Sequence, residues 1–130
     1  MELDDFADAL LAAAPAVREE LRRSGDDELP DHEMPTIWMG DAGRALAHAL
    51  GDLPESARQA AFGVIEQAMT SGSEKLSTWV ATGLLEALAG AVSRRELEPG
   101  LLAGLLGPES RAYVDAWDQF TLGRSSLDPS

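Results

Sequence analysis

Prolines divide this sequence of 130 residues into segments, and most segments that follow a proline carry apolar residues at helical spacing. Pro54, Pro99 and Pro108 each stand directly before such a segment. A helix tolerates proline at its start because the first amide groups have no acceptor within the helix. Since no stretch alternates apolar and polar residues with the β-branched side chains typical of strands, the sequence predicts an all-helical (all-α) fold.

The apolar spacing predicts a single domain over residues 1–122, built as an irregular bundle of five to six helices. The first helix is expected over residues 3–23, where Pro15 either bends it or divides it into two shorter helices. Helices over residues 54–70 and 74–93, joined by a short turn, are expected to form a central αα-hairpin. The remaining helices are expected over residues 37–50, 99–106 and 108–122. Residues 123–130 are expected to form a flexible tail.

The charge of the chain is strongly one-sided, with 23 acidic against 10 basic residues and a formal net charge of −13. This charge argues against nucleic acid and anionic membrane as partners and favours a basic protein surface. The alternative is that the acidity reflects the amino-acid usage of the source organism. Because the chain has no cysteine, disulfides and thiolate chemistry are excluded. The acidic N-terminus and the lack of an apolar run of membrane-spanning length favour a cytoplasmic protein.

An acidic, proline-bounded segment over residues 26–35 is the strongest candidate for partner binding. It lacks helical periodicity and leads directly into Trp38, which either anchors a partner or begins the core of the next helix. The predicted partner-binding residues are Asp26, Asp27, Glu28, Asp31, Glu33, Trp38 and Asp41.

Two mid-helix carboxylates, Glu66 and Glu86, adjoin apolar faces and are expected to have structural roles, such as capping a neighbouring helix or pairing with a base. The alternative is a metal-dependent hydrolase site built from Glu66, Glu86 and His48. The Glu-x-x-His motif of dimetal helical bundles and Gly-rich phosphate loops are both missing from the sequence. We therefore predict a protein that is not an enzyme, with no catalytic residues, no metal site and no cofactor.

Two helical segments carry a family resemblance. Phe62-x-x-Ile65-Glu66 and Val80-x-x-Gly83-Leu84-Leu85-Glu86-x-Leu88, following the Pro15 segment and the acidic loop, resemble small uncharacterised bacterial helical proteins. Such proteins are often met as candidate immunity proteins beside polymorphic toxins. The resemblance covers about residues 62–88.

This resemblance implies a protein that binds and neutralises a bacterial toxin by blocking its active site. Acidic immunity proteins commonly neutralise basic nuclease toxins, so the expected partner is a basic toxin domain. The resemblance transfers no catalytic residue. The alternative function is a structural or adaptor module, including one that self-associates, and the sequence leaves the oligomeric state open.

Overall fold

The computed structural model describes residues 1–127, and this part of the chain contains helices and no strand. The all-helical prediction is confirmed. Seven helices are present in the described residues, one more than the upper end of the predicted range. They are α1 (Leu3–Ala13), α2 (Pro15–Arg23), α3 (Pro35–Ala49), α4 (Glu55–Ser71), α5 (Glu74–Ser93), α6 (Pro99–Leu105) and α7 (Pro108–Leu122), with a short 3-10 turn over Leu50–Asp52.

Prolines set most of the helix starts. Pro15, Pro35, Pro99 and Pro108 each occupy the first turn of a helix. Pro15 separates α1 from α2 rather than bending one long helix, because the residue before a proline avoids helical geometry. Ala14 accordingly has φ −136° and ψ 79°.

The central helix pair consists of α3 and α5. α5 packs more extensively on α3 than on α4, so the predicted central hairpin of residues 54–70 and 74–93 is not confirmed. A Cβ on Gly43 would lie 2.8 Å from the carbonyl oxygen of Leu84, and a Cβ on Gly83 would lie 2.9 Å from that of Thr36. The two glycines therefore allow the two helix backbones to approach closely.

The two helices of this pair run in the same direction. The start of α3 lies beside Gly83, and its end lies near the segment after α5, where His48 Nε2 is 3.9 Å from Glu96 Oε1. Around the pair, α2 packs on α3, while α1 and α7 pack on α4. The largest fully buried side chains are Phe6, Leu10, Leu21, Met39, Leu46, Leu50, Ile65, Leu76, Leu84, Leu85, Leu88 and Leu102.

α5 contains a π-helical segment over Val80–Leu85, within an otherwise α-helical run. By length and composition alone α5 is apolar enough to cross a membrane, whereas the sequence predicted no apolar run of that length. More than half of its most apolar window, 56%, is buried inside the fold. This burial is typical of a core helix in a soluble protein. A single, weakly apolar helix of this kind is consistent with a soluble protein.

The C-terminal helix differs from its predicted packing. The apolar spacing over residues 108–122 predicts that this helix buries Tyr113, Val114, Trp117 and Phe120. Val114 is buried, and Tyr113 and Trp117 are partly buried against the core. Phe120 is 90% exposed, so that prediction is wrong. Helical spacing alone places Phe120 near the apolar side of α7 but does not reveal where the neighbouring helices end.

Residues 123–127 lie against α7. Gly123 ends the helix with φ 71°, and the chain then folds back so that Leu127 is buried. Asp118, fully buried, accepts hydrogen bonds from the backbone amide (3.0 Å) and hydroxyl of Ser126 through Oδ2. This part of the segment predicted as a flexible tail is therefore packed, and residues 128–130 lie outside the described residues.

Candidate protein-binding surface

The acidic loop between α2 and α3 is held at several points. Arg22 Nη2 donates to Glu28 Oε1 at 3.0 Å. The indole Nε1 of Trp38 donates to the backbone carbonyl of Asp27 at 3.1 Å. His32 Nε2 lies 2.9 Å from a carboxylate oxygen of Asp4 at the start of α1. Contacts to three helices therefore define the loop conformation.

The predicted acidic residues divide into engaged and available groups. Glu28 is engaged by Arg22 and lies 4.0 Å from Arg18. Asp31 is exposed, and its side chain accepts the backbone amide of Glu33 at 2.9 Å. Among the described residues, the side chains of Asp26, Asp27 and Glu33 have no hydrogen bond or ion pair, and of these Asp27 and Glu33 are exposed.

Asp41 extends this negative region onto the first turns of α3. Its carboxylate is paired with Arg44. Burial raises the pKa of Asp41, the nearby charges of Asp26 and Asp27 add to the increase, and Arg44 opposes it. Repulsion from Asp26 and Asp27 is therefore a secondary cause of the raised pKa, after burial.

Trp38 supports the loop from within the core and is not itself a contact surface. Its side chain is 2% exposed, in keeping with the alternative that it begins the core of the helix. Through its hydrogen bond to Asp27 it fixes the loop, and it offers almost no area of its own to a partner.

Three exposed apolar side chains lie beside the acidic residues and were not predicted from the sequence. Leu29, Met34 and Ile37 are 57%, 53% and 55% exposed. Their position in and just after an acidic, proline-bounded loop without helical periodicity was the available signal. We use the name acidic–apolar surface for Asp26, Asp27, Leu29, Asp31, Glu33, Met34, Ile37 and Asp41.

Two depressions adjoin this surface. The smaller, of about 120 Å³, is lined by Asp27, Met34, Ile37 and their neighbours, with Trp38 among the lining residues. The larger, of about 500 Å³, runs between α3 and the π-helical part of α5 towards Trp117, and it shares Ile37 and Asp41 with the smaller one. The surface is therefore a shallow open face rather than an enclosed pocket.

Glu66 caps the N-terminus of α7. Its two carboxylate oxygens accept the backbone amides of Glu109 (2.9 Å) and Ser110 (3.0 Å) and the hydroxyl of Ser110 (2.8 Å). Burial alone would raise the pKa of Glu66, but these three hydrogen bonds outweigh it and the pKa is lowered. This is the arrangement expected of a carboxylate that caps a neighbouring helix.

Glu86 pairs with the C-terminal helix instead. Its Oε2 accepts the phenolic hydroxyl of Tyr113 at 2.6 Å. Burial raises the pKa of Tyr113 to about 12, and the hydrogen bond to Glu86 and its negative charge contribute to the increase.

The alternative hydrolase site is not assembled in the described residues. Glu66 is committed to α7, Glu86 binds Tyr113, and His48 lies near Glu20 and Glu96. Within residues 1–127, no group of three or more histidine or acidic side chains is arranged to hold a metal ion.

The fold and the surface together define a small, all-helical domain with an open acidic face. The chain belongs to the family described as "Domain of unknown function (DUF7674)", whose model matches residues 7–122. The match extends from within α1 to the end of α7 and therefore covers nearly the whole bundle. No curated protein and no solved structure matches the chain significantly.

Proposed function

We propose that this protein is an immunity-type protein that binds a basic bacterial toxin domain through the acidic–apolar surface and blocks the active site of that toxin. The observation that carries the proposal is the presence of three large exposed apolar side chains, Leu29, Met34 and Ile37, among carboxylates that largely lack internal partners. The resemblance of residues 62–88 to candidate immunity proteins supplies the class of partner.

The two components of the surface would make different contributions to binding. Burying the exposed parts of Leu29, Met34 and Ile37 stabilises a complex by roughly 25 cal/mol for each Å² of apolar area removed from water. The unpaired carboxylates accelerate encounter with a basic surface and disfavour acidic partners.

The anchored conformation of the loop supports the same role. Two side-chain contacts fix the loop: Trp38 donates to the carbonyl of Asp27, and Glu28 accepts from the guanidinium of Arg22. A preorganised loop loses less conformational entropy on binding than a mobile one. In this proposal the protein works in the cytoplasm as an inhibitor, without catalytic residues or a cofactor of its own.

The experiment uses the product of a neighbouring gene that encodes a basic protein, purified as an inactive variant. Isothermal titration with the full chain should show a saturable complex, together with loss of toxin activity when the active toxin is mixed with this protein. Met34→Ser together with Ile37→Ser should weaken binding by roughly tenfold or more, as loss of a central apolar contact does.

Matched charge variants separate the effect of the acidic–apolar surface on binding from the effect of the net charge. Asp27→Asn, Asp31→Asn and Glu33→Gln together should slow association. Three substitutions elsewhere remove the same charge and should have a much smaller effect: Asp8→Asn, Glu74→Gln and Glu109→Gln. If no basic neighbour binds, or if both triple variants behave alike, the proposal is wrong.

A second candidate function is a self-associating structural or adaptor module. It is favoured by the end of α7, where Phe120 is 90% and Leu122 is 42% exposed. Light scattering should then report a dimer that dissociates in Phe120→Ser, with Ile37→Ser as the control. A monomer at all concentrations would exclude self-association.

A further inference from the structure

Nearly all arginines of this acidic protein have partners within the chain. Two arginines are exceptions among the described residues, because the side chains of Arg95 and Arg124 make no hydrogen bond or ion pair. The engaged arginines bind carboxylates or backbone carbonyls, and they are Arg18, Arg22, Arg23, Arg44, Arg58, Arg94 and Arg111.

Both unpaired arginines line the same cavity. This cavity has a volume of about 540 Å³ and lies where the end of α5, the start of α6 and the end of α7 meet. Because α3 and α5 run in the same direction, it lies at the opposite end of this helix pair from the acidic loop. The cavity is therefore independent of the acidic–apolar surface.

Arg95 has an unfavourable backbone conformation. Its φ is 62°, the only positive φ of a non-glycine residue in the described chain. Arg95 lies at the end of α5, where its backbone amide donates to the carbonyl of Val92 (3.0 Å). The backbone amide of Glu96 donates to the carbonyl of Ala91 (2.9 Å). Glycine is the residue usually found at this position of such a helix end. Strained backbone of this kind is concentrated at binding and catalytic sites.

The charge balance in the cavity favours an anion. Two carboxylates also line it, but Glu96 is held by Arg94 at 2.6 Å, which leaves Glu98 as the other unengaged charge. Two arginines against one carboxylate leave a local excess of one positive charge, in a chain whose net charge is −13.

The rest of the lining is divided between apolar and hydroxyl groups. Val92 and Leu97 are buried and Leu122 is 42% exposed, and these three residues form the apolar side of the cavity. Ser93 and Ser126 add hydroxyl groups. A volume of this size is typical of sites for small molecules, and the wall combines four apolar residues with charged and hydroxyl side chains.

We infer that this cavity binds a small organic anion, with its oxyanion group at Arg95 and Arg124 and its apolar body against Val92, Leu97 and Leu122. Guanidinium groups suit this task because they bind carboxylate and phosphate oxygens in pairs. Carboxylic acids and phosphate monoesters share the required chemistry, and the test distinguishes them.

The test titrates the full chain with sodium hexanoate, phenyl phosphate, inorganic phosphate and hexanol, using isothermal titration calorimetry. We expect saturable binding of at least one organic anion, at least tenfold weaker binding of inorganic phosphate, and no binding of hexanol. The preferred organic anion, hexanoate or phenyl phosphate, identifies the head group.

Variants connect binding to the two arginines. Arg124→Gln should weaken the binding of the preferred anion at least tenfold. Arg95→Gly should also weaken this binding, but it should raise the melting temperature of the protein, because glycine adopts a positive φ without strain. Lys75→Gln removes a positive charge from exposed α5 surface away from the cavity and should change neither property.

Three results would overturn the inference. They are the absence of saturable binding for every anion at millimolar concentration, equal binding of hexanol, and an affinity that is unchanged in both arginine variants. Because Arg95→Gly is expected to stabilise the fold, loss of binding in this variant cannot be attributed to unfolding.

Discussion

Among single residues, Glu66 links two helices that are distant in the sequence, since it lies on α4 and caps α7. We expect Glu66→Ala to lower the free energy of unfolding by about 1 to 2 kcal/mol, because it removes the acceptor for two backbone amides and a hydroxyl. Urea denaturation measures the change. Gln67→Ala, an exposed substitution on the same helix, is the control and should change the free energy by less than about 0.5 kcal/mol.

The same residue predicts a pH dependence. The pKa of Glu66 is lowered in the folded protein from its ordinary value of 4.5. Its stabilising contribution is therefore complete above pH 4.5 and is lost as the pH falls through the lowered pKa. The difference in unfolding free energy between the native protein and Glu66→Gln should shrink as the pH falls below 4.5. A difference that stays constant from neutral to acidic pH would contradict this account of the cap.

Tyr113 gives a direct spectroscopic prediction because it is the only tyrosine in the chain. Its phenolate absorbance should appear with a midpoint near pH 12 in the folded protein, against 10.0 for an unperturbed tyrosine. Since the folded pKa is the higher one, the stability it contributes is complete below pH 10.0 and is lost as the pH rises towards 12.

The Glu86→Gln variant separates the causes of this shift. It removes the carboxylate charge and leaves the burial of the ring in place, so the midpoint should fall only part of the way to 10.0. A midpoint near 10.0 in the native protein would contradict both causes, the burial of Tyr113 and its hydrogen bond to Glu86.

The sequence predicted the environment of a residue where the local pattern of apolar and polar residues determines that environment. Glu66 and Glu86 stood beside apolar faces in mid-helix, which pointed to internal partners, but Ser110 and Tyr113 lie far along the chain and had no local signal. The exposure of Phe120 and the burial of Asp118 depend on where other segments end, which helical periodicity does not encode.

At the scale of helices, the close crossing of α3 and α5 yields a prediction with an internal control. Gly43→Ala should destabilise the fold by about 1 to 3 kcal/mol, because the new methyl group would lie 2.8 Å from Leu84 O and from Ala87 Cβ. Gly63→Ala, in α4 with open space around it, should instead stabilise the fold by about 0.5 to 1 kcal/mol. Thermal and urea unfolding measure both. Destabilisation by Gly63→Ala, or none by Gly43→Ala, would contradict the packing.

Helix boundaries were predicted better than helix pairing. The starts at Pro99 and Pro108 follow from the local chemistry of a residue that lacks an amide hydrogen, and α7 ends at Leu122 as expected. The pairing of α3 with α5 depends on Gly43 and Gly83 meeting backbone atoms far away in the sequence. From the sequence, Gly43 was expected to weaken its helix and Gly83 to permit the close approach of another helix, but the pattern did not identify which helix.

At the scale of the whole molecule, the excess of acid is a source of instability that a partner would relieve. The ion pairs of the described residues are largely exposed, and exposed pairs contribute about 0 to 1 kcal/mol each. Repulsion among the acids is not confined to pairs: the charges of Asp26 and Asp27 contribute to the raised pKa of Asp41, although burial is the larger cause. A basic partner bound at the acidic–apolar surface would neutralise these charges.

Salt should therefore stabilise the free protein. Raising NaCl from about 0.01 M to about 0.15 M shortens the screening length from about 30 Å to about 8 Å, which weakens repulsion across the molecule more than contacts within ion pairs. We expect the melting temperature to rise by about 2 to 8 °C, corresponding to about 1 kcal/mol. The variant with Asp27→Asn, Asp31→Asn and Glu33→Gln should melt higher than the native protein at low salt and respond less to added salt, although it binds the proposed partner more weakly. A melting temperature that falls with salt would mean that the ion pairs outweigh the repulsion, and the acidic loop would then carry no stability cost for a partner to remove.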